Sequence, residues 1–160
     1  MTSNILKDRI HARVAQTPDG AYQVALARAR EAIKENRDHK DVARDLEPTI
    51  MNDWRFARLY AQNILEGRFI AFEFAVQEAE PATNPDDQLA VFHYASAFGE
   101  WPEAEKHIIN NADLAVRYAE QVIKQPWPDG HPANDAIARN DAELERYSRT
   151  FPTATSACRF

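Results

Sequence analysis

The chain of 160 residues holds one cysteine, Cys158, which excludes an internal disulfide framework and any zinc site built on cysteines. It stands third from the end rather than fourth, so it is no prenylation box, and its place marks it as an incidental thiol of the tail. Glycine is scarce too: Gly20, Gly67, Gly99 and Gly130 stand far apart. Sandwiches and barrels need many turns with φ > 0, and Rossmann and P-loop sites need a glycine cluster, so these folds are disfavoured. No apolar run approaches the ~20 residues of a membrane span. Charges interrupt Met1–Val14 too often for a signal peptide, which gives the expectation of a soluble, cytoplasmic protein without a membrane partner. The catalytic patterns HExxH, GxSxG and Walker A are missing, and no catalytic residue, metal site or cofactor is assigned. Finally, residues 69–105 contain no lysine or arginine at all.

What is present is a repeat. Glu47–Phe69 and Glu105–Trp127 align at a constant offset of 58, which pairs Ile50 with Ile108, Ala57 with Ala115, Tyr60-Ala61 with Tyr118-Ala119, Ile64-Leu65 with Val122-Ile123, and Phe69 with Trp127. A further copy follows at half that offset, with Ile137, Leu144, Tyr147 and Phe151. A less regular copy between them carries Tyr94-Ala95 and Trp101-Pro102, and a fainter one at the start carries Ala25, Ala29, Ile33 and Lys34, with Arg28 where the tyrosine falls elsewhere. Four of the five tyrosines thus share one repeat position.

Leu114, Ala115, Tyr118, Ala119, Val122 and Ile123 form two adjacent i, i+4 rows, the apolar stripe of an amphipathic helix. Asp53, Asn111 and Asn140 share the position before that helix and predict N-caps, and Glu143 three residues after Asn140 predicts a capping box. Each unit therefore reads as a short helix, a tight turn and a longer helix, which buries its faces only against its neighbours. The predicted fold is an all-α, single-domain, solenoid-like array of helical hairpins. A cap helix is expected over about 3–16, units over about 20–46, 47–69, 70–101, 102–127 and 128–152, a protruding loop insertion at 81–88, and a tail over 153–160.

The pattern I-[IM]-x-[DN]…A-x-x-Y-A-x-x-[VI]-[IL]…[FW]-P-x-x-E, carried by Ile50–Phe69, Tyr94–Glu105, Ile108–Trp127 and Ile137–Phe151, resembles helical repeats of uncharacterised proteins of tailed bacteriophages and some large viruses. The resemblance covers half to two thirds of the chain. It implies a phage or prophage accessory protein built on a repeat scaffold, and it implies no catalytic residues.

Residues that break the repeat are the candidates for function. The formal net charge of −6 is matched and exceeded by 69–105, which carries eight acids and no base. Its Glu78, Glu80, Asp86, Asp87, Glu100 and Glu103 are candidate contacts to a partner with a basic surface, a host protein or complex that the chain binds and modulates. A plain solvated face is the alternative. Arg117 and Arg146 share the position before the repeat tyrosine, with His93 in the irregular copy, and suggest a polar ridge or else arginines lying over aromatic faces. The other bases are interleaved with acids, which argues against nucleic acid as a partner. His107 with Glu103 one helical turn away is a candidate metal pair, for which a surface ion pair is the simpler account, and Glu103, Glu105, Asp135 and Asp141 are candidates for acid–base work that their spacing does not single out from surface carboxylates. A self-assembling or virion-associated component, with a homo-oligomer as its form, is the second class of function, and an enzyme with an unrecognised carboxylate or histidine site is the third.

Overall fold

Short polar side chains decide where the helices of this protein begin. The computed structural model describes residues 12–152. Among them every regular element is helical and there is no strand. Helix α1 spans Pro18–Lys34, α2 Glu47–Ile50, α3 Trp54–Tyr60, α4 Ile70–Glu78, α5 Pro85–Phe98, α6 Ala112–Tyr118, α7 Pro132–Ala138 and α8 Asp141–Thr150. Two 3-10 segments, Arg44–Leu46 and Pro102–His107, complete the set with π-helical turns at Ala61–Leu65 and Ala119–Ile123. None of these helices is long and apolar enough to cross a membrane. Of the cap helix expected over 3–16, residues 12–14 are helical; residues 1–11, like the tail 153–160 with Cys158, lie outside the described residues.

The chain divides into two compact units, residues 1–76 and 77–160. In the first, Thr17 accepts the Gly20 N–H and Pro18 occupies the first helical position, so α1 starts where its missing N–H is harmless. Gly20 is required there: a Cβ would lie 1.8 Å from the Val14 carbonyl oxygen. Tyr22, Val24, Ala25, Ala29 and Ala32 turn inward, and α1 packs on α2 and α3. The expected stripe is not followed to its end, because Ile33 is 57% exposed in the last turn. Arg28, standing in the tyrosine position, reaches the Val42 carbonyl and Asp45 instead.

Asp53 and Asn111 cap α3 and α6 with their side chains. Both helices widen into a π turn at matching positions and end on a left-handed residue, Glu66 (φ 50°) and Lys124 (φ 54°), 58 residues apart. At these aligned positions the two copies share one backbone conformation. Asn140 caps α8 by accepting the Glu143 N–H, but the reciprocal half of the capping box is not made; the Glu143 carboxylate lies 3.6 Å from Arg146.

In the second unit α6 packs on α5, α7 and α8. The interval from cap to tyrosine is seven residues in the regular copies and ten from Asn84 to Tyr94, so α5 gains nearly one helical turn at its start. That extra turn corrects the expected loop insertion at 81–88. Pro85–Gln88 is the first turn of α5, with Asn84 as its cap, and only 79–84 is connection. The signals that suggested a loop, Asn-Pro-Asp-Asp, are those of a helix N-terminus. The connection is also held down, since Gln88 donates to the Ala82 carbonyl and His107 Nδ1 accepts the Ala82 N–H.

Each repeat tyrosine meets the aromatic that follows it. Ring centroids are 5.3 Å apart for Tyr60 and Phe69, 5.1 Å for Tyr94 and Trp101, 5.5 Å for Tyr118 and Trp127, and 5.1 Å for Tyr147 and Phe151. The tyrosine hydroxyls also reach back. Tyr118 accepts the Trp101 N–H at 2.9 Å and Tyr147 the Trp127 N–H at 2.7 Å, both bonds buried. Trp101 and Trp127 are therefore each gripped twice, by the ring before and the hydroxyl after. Burying side chains of this size contributes about 2–3 kcal/mol each.

Candidate functional site

The carboxylates expected to contact a partner lie in the second unit, and that unit holds the charge. Residues 1–76 carry 12 bases and 11 acids, net +1, whereas 77–160 carry seven bases and 14 acids, net −7. Glu78, Glu80, Asp86, Glu100 and Glu103 are exposed, and Asp87 is half-buried. Four of them stand at opposite ends of α5. Asp86 and Asp87 occupy the first turn of α5, where the helix dipole stabilises them. Glu100 and Glu103 follow its other end, about 20 Å away at 1.5 Å per residue. Glu73, the first acid of the basic-free segment, belongs to the other unit and is paired with Arg68 at 2.5 Å.

Arg117 and Arg146 are each engaged within the unit, and His93 packs on its neighbour. The Arg117 guanidinium lies 4.5 Å from the Phe92 ring centroid and 3.5 Å from Asp113, so it covers an aromatic face. Arg146 is held by Glu120 at 2.5 Å, Asp113 at 3.2 Å and Glu143 at 3.6 Å, and these carboxylates hold it above the usual arginine range, the Glu120 hydrogen bond foremost. Asp113 thus bridges the two arginines. His93 is half-buried against Phe92, with ring centroids 5.3 Å apart.

The structure brings together a cluster that sequence spacing did not show. Glu105 Oε2, at the end of the 3-10 segment, faces His131 Nε2 at 3.6 Å, with side chains 16% and 24% exposed. The His131 ring stacks on Trp127 at 4.4 Å and 9°, and Trp127 on Tyr118 at 5.5 Å and 8°. Burial pushes the Glu105 carboxyl up to about 7, and the neighbouring Glu100 and Glu103 charges add to it. Burial likewise lowers the His131 imidazole. Both shifts favour the uncharged forms, so burial works against an ion pair at this contact. His131 Nδ1 accepts the Ala133 N–H and caps α7, which leaves the ring proton on Nε2 toward Glu105. A separation of 26 residues left this pairing without a local signal; the only hint was a histidine directly before a proline.

The other candidates do not converge. His107 and Glu103 make no pair, because the 3-10 winding replaces the i, i+4 alignment of an α-helix, and His107 is 1% exposed while Glu103 is open to solvent. Asp135 and Asp141 sit in the first turns of α7 and α8, separate from Glu105 in role. An open cleft of about 470 Å³ is lined by Asn110, Asp135, Arg139 and Asn140 among others. Among the described residues no three of His, Cys, Asp and Glu are grouped to hold a metal. No protein-family model, no curated protein and no solved structure matches the chain.

Proposed function

We propose that the chain is a non-catalytic protein-binding module, a solenoid-like array of helical hairpins of the phage or prophage accessory type that its repeats resemble. It binds a basic surface of a host protein or complex through the carboxylates of 78–103 and modulates that partner, in host takeover or inhibition of a defence. The observation that carries this reading is the coincidence of a net −7 with one compact unit, in which Glu78, Glu80, Glu100 and Glu103 are exposed while Arg117 and Arg146 are engaged internally. Long-range attraction of this kind steers association and is screened by salt.

The test is affinity capture from bacterial lysate at low salt with the wild-type chain and with Glu80→Lys, Glu100→Lys and Glu103→Lys combined. The substitutions spare Asp86 and Asp87, whose place at a helix start gives them a folding role. A stoichiometric partner should be retained by the wild type, and lost by the variant and at high salt. Absence of any stoichiometric partner, or equal retention by a folded variant, overturns the proposal. A second reading, self-association, is favoured by Ile70 and Phe74, one turn apart on α4 and 57% and 62% exposed. Light scattering after size exclusion decides it: a single species at 18.2 kDa removes this reading.

A further inference from the structure

Two histidines of the second unit use the same nitrogen for the same purpose. His107 Nδ1 accepts the Ala82 N–H at 3.0 Å, fastening the 79–84 connection to the 3-10 segment. His131 Nδ1 accepts the Ala133 N–H at 3.3 Å, capping α7. An imidazole nitrogen accepts only while it carries no proton; the imidazolium form presents donors at both positions. Protonation would therefore set an N–H against an N–H at each site and leave two backbone donors without their acceptors.

We propose that His107 and His131 form a pair of acid-sensitive latches, whose protonation at Nδ1 releases the 79–84 connection and the first turn of α7 while the tyrosine–tryptophan core of the unit stays folded. The titratable groups around His131 are Glu105 at 3.6 Å, which holds its proton over the acid range, Glu100 and Glu103 next to Glu105, and Asp129 and Asp135 on its own segment. The ionised carboxylates among them favour the cation. Burial and the positive end of α7 oppose it, and burial sets the direction, holding the imidazole below its ordinary value of 6.5. The elements meeting at His107 carry Glu103 and Lys106 on its own segment, Glu80 on the connection, and Asp86 and Asp87 on α5; Lys106 is engaged with the Gln77 carbonyl. Gly130 (φ 77°), directly before His131, stands in the connection that leads into the first turn of α7. This inference rests on hydrogen-bond geometry and stands whether or not the acidic face binds a partner.

The experiment is an NMR titration of the full chain from about pH 7.5 downward, following the imidazole signals of His107 and His131 and the exchange protection of individual amides, each rate corrected for intrinsic pH dependence. The Ala82 and Ala133 amides should lose protection about tenfold per pH unit once their histidine begins to bind its proton, as one-proton linkage requires. The Trp101 and Trp127 amides, bound to tyrosine hydroxyls, should keep theirs over the same range. His131→Asn supplies a capping oxygen that does not titrate, so Ala133 protection should become independent of pH while Ala82 behaves as in the wild type. The proposal fails if the imidazoles protonate with Ala82 and Ala133 protection unchanged. It fails as well if all four amides are lost together in global unfolding, or if Ala133 in His131→Asn still opens over the wild-type range.

Discussion

Tyr118 and Tyr147 show how one atom can matter more than the ring that carries it. Both rings are buried, and both hydroxyls take a tryptophan N–H that has no water to turn to. Removing the oxygen leaves a buried donor unsatisfied, which costs about 1–3 kcal/mol, while the ring packing survives. Tyr118→Phe and Tyr147→Phe should each lower stability by that amount in urea unfolding at unchanged m. Tyr60→Phe should cost less, because its hydroxyl donates to the Glu47 carboxylate, a partner that is only half-buried. Glu105 matters at the same scale through its proton. Its folded value near 7 lies above the ordinary 4.5, so the folded chain holds a proton that the unfolded chain has released between those values. Stability must then fall as pH rises from 4.5 to 7, by on the order of 2 kcal/mol. His131 acts in the opposite sense, since its lowered value makes stability fall as pH drops below 6.5. Glu105→Gln removes the first effect alone. Chemical denaturation of that variant at a series of pH values should show stability rising from pH 4.5 to 6.5, where the wild type is flatter or falling.

At the scale of the element, helix ends carry more of the specification than helix interiors. The N-caps were legible because Asp53, Asn111 and Asn140 recur at one position and need only local hydrogen bonds. The helical periodicity was legible for the same reason, since contacts along one helix leave a fixed interval in the sequence; the tyrosine–aromatic pairing was legible in the two copies 58 residues apart, where that interval is nine residues, but it shortens to seven from Tyr94 to Trp101 and four from Tyr147 to Phe151. The π turns left no trace, because they change hydrogen bonding without changing which residues are apolar. Their C-terminal residues, Glu66 and Lys124, adopt a conformation that ordinarily calls for glycine. The Glu105–His131 contact was not legible because it joins residues whose separation matches no repeat interval. The N-terminal half of the 81–88 insertion read correctly as connection. Its C-terminal half misled because proline and aspartate mark turns and helix starts alike. The left-handed ends yield a prediction. A non-glycine residue there carries a strain of about 1–2 kcal/mol, partly offset by the extra chain entropy that glycine loses on folding. Lys124→Gly should therefore raise stability by about 0.5–1 kcal/mol, measured by thermal or urea unfolding. Lys124→Val at the same site should lower it, since a β-branched side chain fits that conformation worst.

For the whole molecule, the boundary between the compact units is also a boundary of charge, and the two have different physical consequences. Charge does not choose the fold; residues 1–76 at +1 and 77–160 at −7 both form capped helices with buried tyrosines. Charge does set how each responds to its solution. Fourteen acids against seven bases repel one another within the second unit, and at about 20 mM salt the screening length exceeds 20 Å, so that repulsion acts across the whole unit. At about 500 mM it is confined to a few ångströms, the range of the Arg146 pairs with Glu120 and Asp113, which survive because they are short and partly buried. Salt should therefore stabilise 77–160 and leave 1–76 nearly unchanged. Amide exchange at the two salt concentrations reads the units separately. Protection of Leu114, Tyr118 and Tyr147 should rise with sodium chloride, while that of Ala25, Ala57 and Tyr60 stays level. An equal rise in both sets would point to a general salting-out of apolar surface and would detach the response from the charge. A rise confined to the second unit would show that its acidity is held against a folding cost, as expected of a surface kept for a partner.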